Sequence, residues 1–166
     1  MASIEVKLEE QLNEVDLLIK EGKYSEAMDL LEEMALLHPT FGKTYNHIGW
    51  MYETKFKDLT KAEEFYTKAI ETSPAYLATY YNFAILLSTL RKYDTLHELL
   101  QKALKQPGID RATINNEYGI MFEQLEEYDN AVHYYKEGIR SSITKDFIER
   151  AKDAIERCEM KKSLLA

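Results

Sequence analysis

Glycine and proline are scarce, with six and three residues in a chain of 166. So few breakers cannot supply the tight turns of an all-β fold, and helices become the default. The one cysteine, Cys158, has no partner for an internal disulfide, and nothing ties the chain to an oxidising compartment. A cytoplasmic location is therefore expected. No run of eighteen apolar residues occurs: the richest segment, Phe83 to Leu87, is interrupted by Ser88 and Thr89, so no membrane span is expected. The first seven residues mix acids and polar groups with apolar ones, where an export signal would carry an uninterrupted apolar core. Positive charge is outweighed, 21 Lys and Arg against 29 Asp and Glu, for a net −8. Gripping phosphates needs clustered positive charge, so neither nucleic acid nor an anionic membrane is an expected partner. The 45% of hydrophobic residues suffices for one domain or one short array of repeats.

The chain repeats itself. Tyr24-Ser25, Leu59-Thr60, Tyr93-Asp94 and Tyr128-Asp129 recur at spacings of 35, 34 and 35, each followed two residues later by Ala27, Ala62, Leu96 or Ala131. Ser25, Thr60, Asp94 and Asp129 carry side-chain oxygens that can accept from the unpaired amides opening a helix, so each is expected to cap one; Thr60 with Glu63 also fits a capping box. Behind each start the apolar residues keep helical spacing, and Pro39, Pro74 and Pro107 close the first three units. Between these lie further helical stretches containing Gly49, Ala84 and Gly119, spaced 35 and 35 apart. A glycine inside a helix costs roughly 1 kcal/mol against alanine, so its recurrence points to close helix approach.

These residues resemble the tetratricopeptide repeat, a 34-residue helix–turn–helix unit with the pattern W-x2-L-G-x2-Y, then A-x3-F, then P. Tyr45-x2-Ile48-Gly49-x2-Tyr52, followed by Ala62-x3-Tyr66 and Pro74, is the clearest copy, with one extra residue near Lys57-Asp58. The resemblance implies an all-α fold: a right-handed superhelical solenoid of about four units, approximately 3–40, 41–75, 76–108 and 109–142. A capping helix is expected over 144–166, where Phe147, Ile148, Ala151, Ala154, Ile155 and Cys158 form one stripe. It further implies that first helices line a concave groove that holds a peptide or partner helix.

Convergent chemistry is missing. His38, His47, His97 and His133 lack the spacing of a metal-binding helix motif, the six glycines are scattered singly, and paired acids such as Glu9-Glu10 read as solvated helix faces. No catalytic residue, metal or cofactor is expected. What stands out is a face roughly opposite the packed one, because each helical residue advances by about 100°. Lys43, Asn46, Trp50 and Glu53 fall there in one unit, Tyr81 and Ile85 in the next, and Asn116 and Ile120 in the one after. Trp50, Tyr81, Ile85 and Ile120 would make an apolar patch that meets a partner, and Asn46 and Asn116 could bond an extended backbone. Some members of the family clamp a terminal carboxylate with Lys and Asn; Thr113 and Glu117 stand where the later bases would fall, which disfavours an acidic tail. A ligand with apolar anchors and basic residues answering Glu9, Asp16, Glu53 and Glu123 fits better. The expected function is an interaction module that binds a peptide or amphipathic helix. A small acidic chaperone for a secreted or assembly client and a structural homodimer are the alternatives, and RNA reading by a pentatricopeptide-like array is opposed by the charge.

Overall fold

The computed structural model describes residues 3–165, and these contain nine α-helices and no strand. They divide after Leu86 into two compact units, each with its own packing. The first unit holds α1 (Ile4–Lys20), α2 (Tyr24–Leu37), α3 (Gly42–Met51), α4 (Leu59–Thr72) and most of α5 (Leu77–Thr89). The second holds the last turn of α5, then α6 (Tyr93–Ala103), α7 (Arg111–Gln124), α8 (Tyr128–Ser141) and α9 (Lys145–Leu165).

The helix starts differ from expectation. Ser25, Thr60, Asp94 and Asp129 are each the second residue of their helix; the caps are Lys23, Asp58, Lys92 and Glu127. Only Asp58 caps with its side chain, accepting from the Lys61 amide at 3.0 Å. What sets these starts is the residue just before each cap. Gly22, Lys57, Arg91 and Glu126 have φ of 77°, 58°, 55° and 61°, the left-handed turn that ends the preceding helix. Three of the four are not glycine and pay a steric cost of about 1 kcal/mol for that geometry. Replacing the exposed Glu126 by glycine relieves it at the expense of a more flexible unfolded chain. A net gain of about 0.5 kcal/mol, read as a higher melting temperature, is the expected result; a lower one would show that the Glu126 side chain contributes more than its backbone strain costs.

The extra residue near Lys57-Asp58 has a specific home. Eight residues separate Gly49 from Lys57, where seven separate Ala84 from Arg91 and Gly119 from Glu126. The surplus is taken up by widening the end of α3 into a π turn, Tyr52–Phe56, closed by a bond from the Asp58 amide to the Tyr52 carbonyl at 3.0 Å.

In the first unit, Leu8, Leu12 and Val15 of α1, Leu31 and Met34 of α2, Tyr45, Ile48 and Met51 of α3 and Ala69 of α4 share one buried cluster. The fully buried Tyr45 and Tyr80 each donate to the carbonyl of the proline six residues earlier, Pro39 and Pro74, at 3.0 Å in both cases. An aromatic ring in the core thereby fixes the linker between helix pairs. The recurring glycines sit where expected: a Cβ built on Gly49 would lie 2.8 Å from the Tyr66 ring, and one on Gly119 would lie 2.5 Å from the Tyr135 ring. Each tyrosine lies across its glycine and donates to a glutamate one turn further on, Tyr66 to Glu53 at 2.7 Å and Tyr135 to Glu123 at 2.9 Å.

In the second unit α9 covers α8 with Ala151, Ala154 and Cys158, and is tied to α7 through Glu123. Cys158 is fully buried, and burial pushes its thiol up to about 11, so it is a packing residue rather than a nucleophile at neutral pH.

Candidate functional site: two clefts between first helices

The first unit carries a cleft of about 270 Å³ whose walls include Asp16 of α1, Asn46, His47 and Trp50 of α3, and Tyr76 and Asn82 at and beyond the start of α5. Trp50 is half-buried: part of its indole packs on the core and the rest borders the cleft, with the Lys55 ammonium 5.1 Å from its ring centre. The Lys55 charge over an aromatic face adds a cation–π attraction that orients the indole. His47 Nδ1 lies 2.8 Å from the Lys43 carbonyl, one helical turn back on α3. With the proton on that nitrogen, Nε2 is left facing Asp16 Oδ1 at 3.8 Å. Tyr76 is half-buried, and its phenol is pushed up by burial, against the pull of the nearby Lys43 charge.

Among the expected groove residues, Asn46 and Trp50 line this cleft, and the others are placed differently. Asn46 is only 4% exposed; its carbonyl oxygen accepts from the Asn82 amide at 3.2 Å, so it joins α3 to α5 instead of offering both ends to a ligand. Lys43 pairs with Glu9 and lies 5.3 Å from the Tyr76 ring centre. Glu53 accepts from the buried Tyr66 hydroxyl. Tyr81 is half-buried, and Ile85 is 53% exposed. In the second unit Ile120 packs against the cluster formed by Ala131, Val132, Tyr135, Ala154 and Cys158, so it belongs largely to the core and not to an open wall.

Asn116 lines a second cleft, of about 370 Å³, between α7 and α9. Around it stand Glu117, Tyr135, Phe147, Arg150 and Arg157. The two clefts occupy equivalent places in the repeat, because Asn46 and Asn116 are two periods of 35 apart, as are His47 and Glu117, with Asn82 midway between the latter pair.

The acids expected to meet a basic ligand mostly have partners within the chain. Glu9 has Lys43, Asp16 faces His47, and Glu53 has Tyr66. Glu123, 10% exposed at its side chain, accepts from Arg157 through both oxygens at 2.7 Å, from Lys161 at 2.9 Å and from Tyr135. The Arg157 bonds foremost hold its carboxyl down at about 2. The basic partners lie about one repeat further along the chain, 34 residues on for Lys43 and Arg157, and the two tyrosines belong to the same helix pair as their glutamates. Among the described residues no group of three or more His, Cys, Asp or Glu side chains is placed to hold a metal ion, and no helix is long and apolar enough to cross a membrane.

Residues 42–76, which build α3, the π turn, α4 and the linker that follows, match the family model described as Tetratricopeptide repeat. Its fold is the tetratricopeptide-repeat fold. Solved structures agree over nearly the whole chain. PilF of Pseudomonas aeruginosa superposes with a TM-score of 0.79 at 14% identity, covering 93% of this chain and 68% of that one. PilW, described as a widely conserved type IV pilus biogenesis factor, gives 0.76 at 17%, covering 96% and 70%. MamA from Desulfovibrio magneticus, residues 41 to the end, gives 0.69 at 15%, covering 98% of both chains. At these identities the likeness establishes the tetratricopeptide-repeat fold and nothing finer. No curated protein sequence matches the chain significantly.

Proposed function

We propose that the protein is an interaction module without chemistry of its own, which takes a peptide or amphipathic helix on the faces of its first helices. The observation that carries this reading is the first-unit cleft, where a half-buried Trp50 stands beside Asp16, His47 and Tyr76. An amphipathic aromatic beside an acid suits an apolar anchor flanked by a basic residue, the recognition mode of helices and short peptides in grooves. Proteins of this repeat family are interaction modules and generally non-catalytic scaffolds, which supports the same reading. A cytoplasmic setting goes with it, supported by the single cysteine, which is buried as a free thiol.

Trp50 is the only tryptophan, so its fluorescence reports on the cleft without labelling. A partner recovered by affinity purification from source lysate should shift and intensify Trp50 emission in proportion to occupancy. A Trp50→Ala, Ile85→Asp double variant of unchanged helicity should lose that partner at least tenfold. Equal recovery by native chain and variant, with Trp50 emission unaltered, would move the function to another face or to self-association.

A further inference from the structure

The second cleft has an electrostatic imbalance of its own. Of the three charged side chains lining it, two already engage carboxylates. Arg157 is held by Glu123, and Arg150 lies 3.2 Å from Asp146 on the preceding turn of α9, also bonding the Asp146 carbonyl. Among the described residues Glu117 pairs with no cation: it is half-buried, and the Asn116 side chain is the group that hydrogen-bonds it. Burial accordingly pushes its carboxyl above the usual range, with the Asn116 bond working the other way. A carboxylate kept partly from water without a counter-charge is a cost to the free protein. A ligand cation offsets part of that cost by pairing with the carboxylate. The half-buried Phe147 ring lines the same cleft and offers apolar and π-rich surface to the methylene stem and charged head of a basic side chain.

We propose that the cleft between α7 and α9 is a subsite for a basic side chain of a protein ligand, arginine above lysine, with Glu117 as the residue that pairs its charge and Phe147 as its apolar rest. Arginine is favoured because a planar guanidinium can fork to the Glu117 carboxylate and the Asn116 amide oxygen while lying along a ring. Each arginine of the cleft already engages a carboxylate, Arg150 with Asp146 and Arg157 with the Glu123 that it shares with Lys161, which limits their opposition to a ligand cation. The subsite lies wholly in the second unit and does not rest on the Trp50 cleft; a Trp50→Ala chain should keep it, so the two readings fail separately.

The test is a titration of the full chain, followed by amide chemical shifts, with N-acetylarginine amide, N-acetyllysine amide and the anionic N-acetylaspartate amide. The expected result is saturable shifts confined to residues 113–117 and 147–157, with the arginine probe binding at least fivefold more tightly than the lysine probe and the aspartate probe not saturating. Glu117→Gln, which keeps shape and removes charge, should weaken the arginine probe at least tenfold while the melting temperature is kept. An arginine affinity unchanged by Glu117→Gln, an absence of saturable shifts, or tighter binding of the aspartate probe would overturn the proposal, the last by handing the cleft to its arginines. Should the Gln variant lose helicity, the ranking of the three probes on the native chain decides alone.

Discussion

Gly119→Leu is expected to destabilise the second unit by at least about 1–3 kcal/mol, the range for overpacking a well-filled core. Even the first carbon of the new side chain would lie 2.5 Å from the Tyr135 ring, which is itself 1% exposed and has no free direction to move. Displacing that ring also disturbs its hydroxyl bond to Glu123, on which Arg157 and Lys161 converge, so the damage should spread to the docking of α9. Urea unfolding followed by helicity measures the loss. A midpoint unchanged from the native chain would show that α7 and α8 can part at no cost, contrary to the packing described.

The second large effect concerns Glu123 and acid. Its folded-state value of about 2 lies below the ordinary 4.5, so its contribution is fully present above about pH 4.5 and is lost as the pH falls toward 2. The carboxylate is well enclosed but Arg157 and Lys161 are about half exposed, so solvent screening limits the contribution to roughly 1–3 kcal/mol. Glu123→Gln removes the charge that both cations address and should cost about that amount at pH 7. The decisive comparison is between pH values: the gap between native and Gln chains should be widest near neutrality and close as the pH approaches 2.5. A gap of constant size from pH 7 to pH 2.5 would mean that shape alone, and not charge, makes Glu123 matter.

Helix number, repeat period and the two close-approach glycines were legible because they depend on neighbours within one helix pair. Gly49 and Gly119 reveal themselves by being the wrong residue for a helix unless something large lies against them, and Tyr66 and Tyr135 do. Helix starts were legible only to within two residues. The left-handed turn that sets them is occupied by Lys57, Arg91 and Glu126, residue types that give no hint of positive φ, while Ser25 and Asp94 look like caps and are not.

The candidate sites were half legible. Trp50 was visible as an aromatic on the face away from its own pair. The line through Asn46, Tyr81 and Asn116 was one residue off the line of His47, Asn82 and Glu117, and one residue is about 100° of helix. Periodicity tells which side of a helix meets its partner in the pair, but not where the first helix of the next pair crosses. That crossing buries Asn46 against Asn82 and gives Glu9 its lysine. The unanswered acid is Glu117, where the sequence showed only the absence of a base.

The π turn at Tyr52–Phe56 bears on how such arrays tolerate change in length. A residue inserted into a rigid helix would rotate everything after it, and the face of α4 that meets α3 would point elsewhere. Here the phase error is cancelled within one turn: Asp58 still caps α4, Tyr66 still reaches Gly49, and Pro74 still receives its bond from Tyr80. This hairpin behaves as an expansion joint: a gained residue is absorbed at the bend while the contact between the paired helices is preserved.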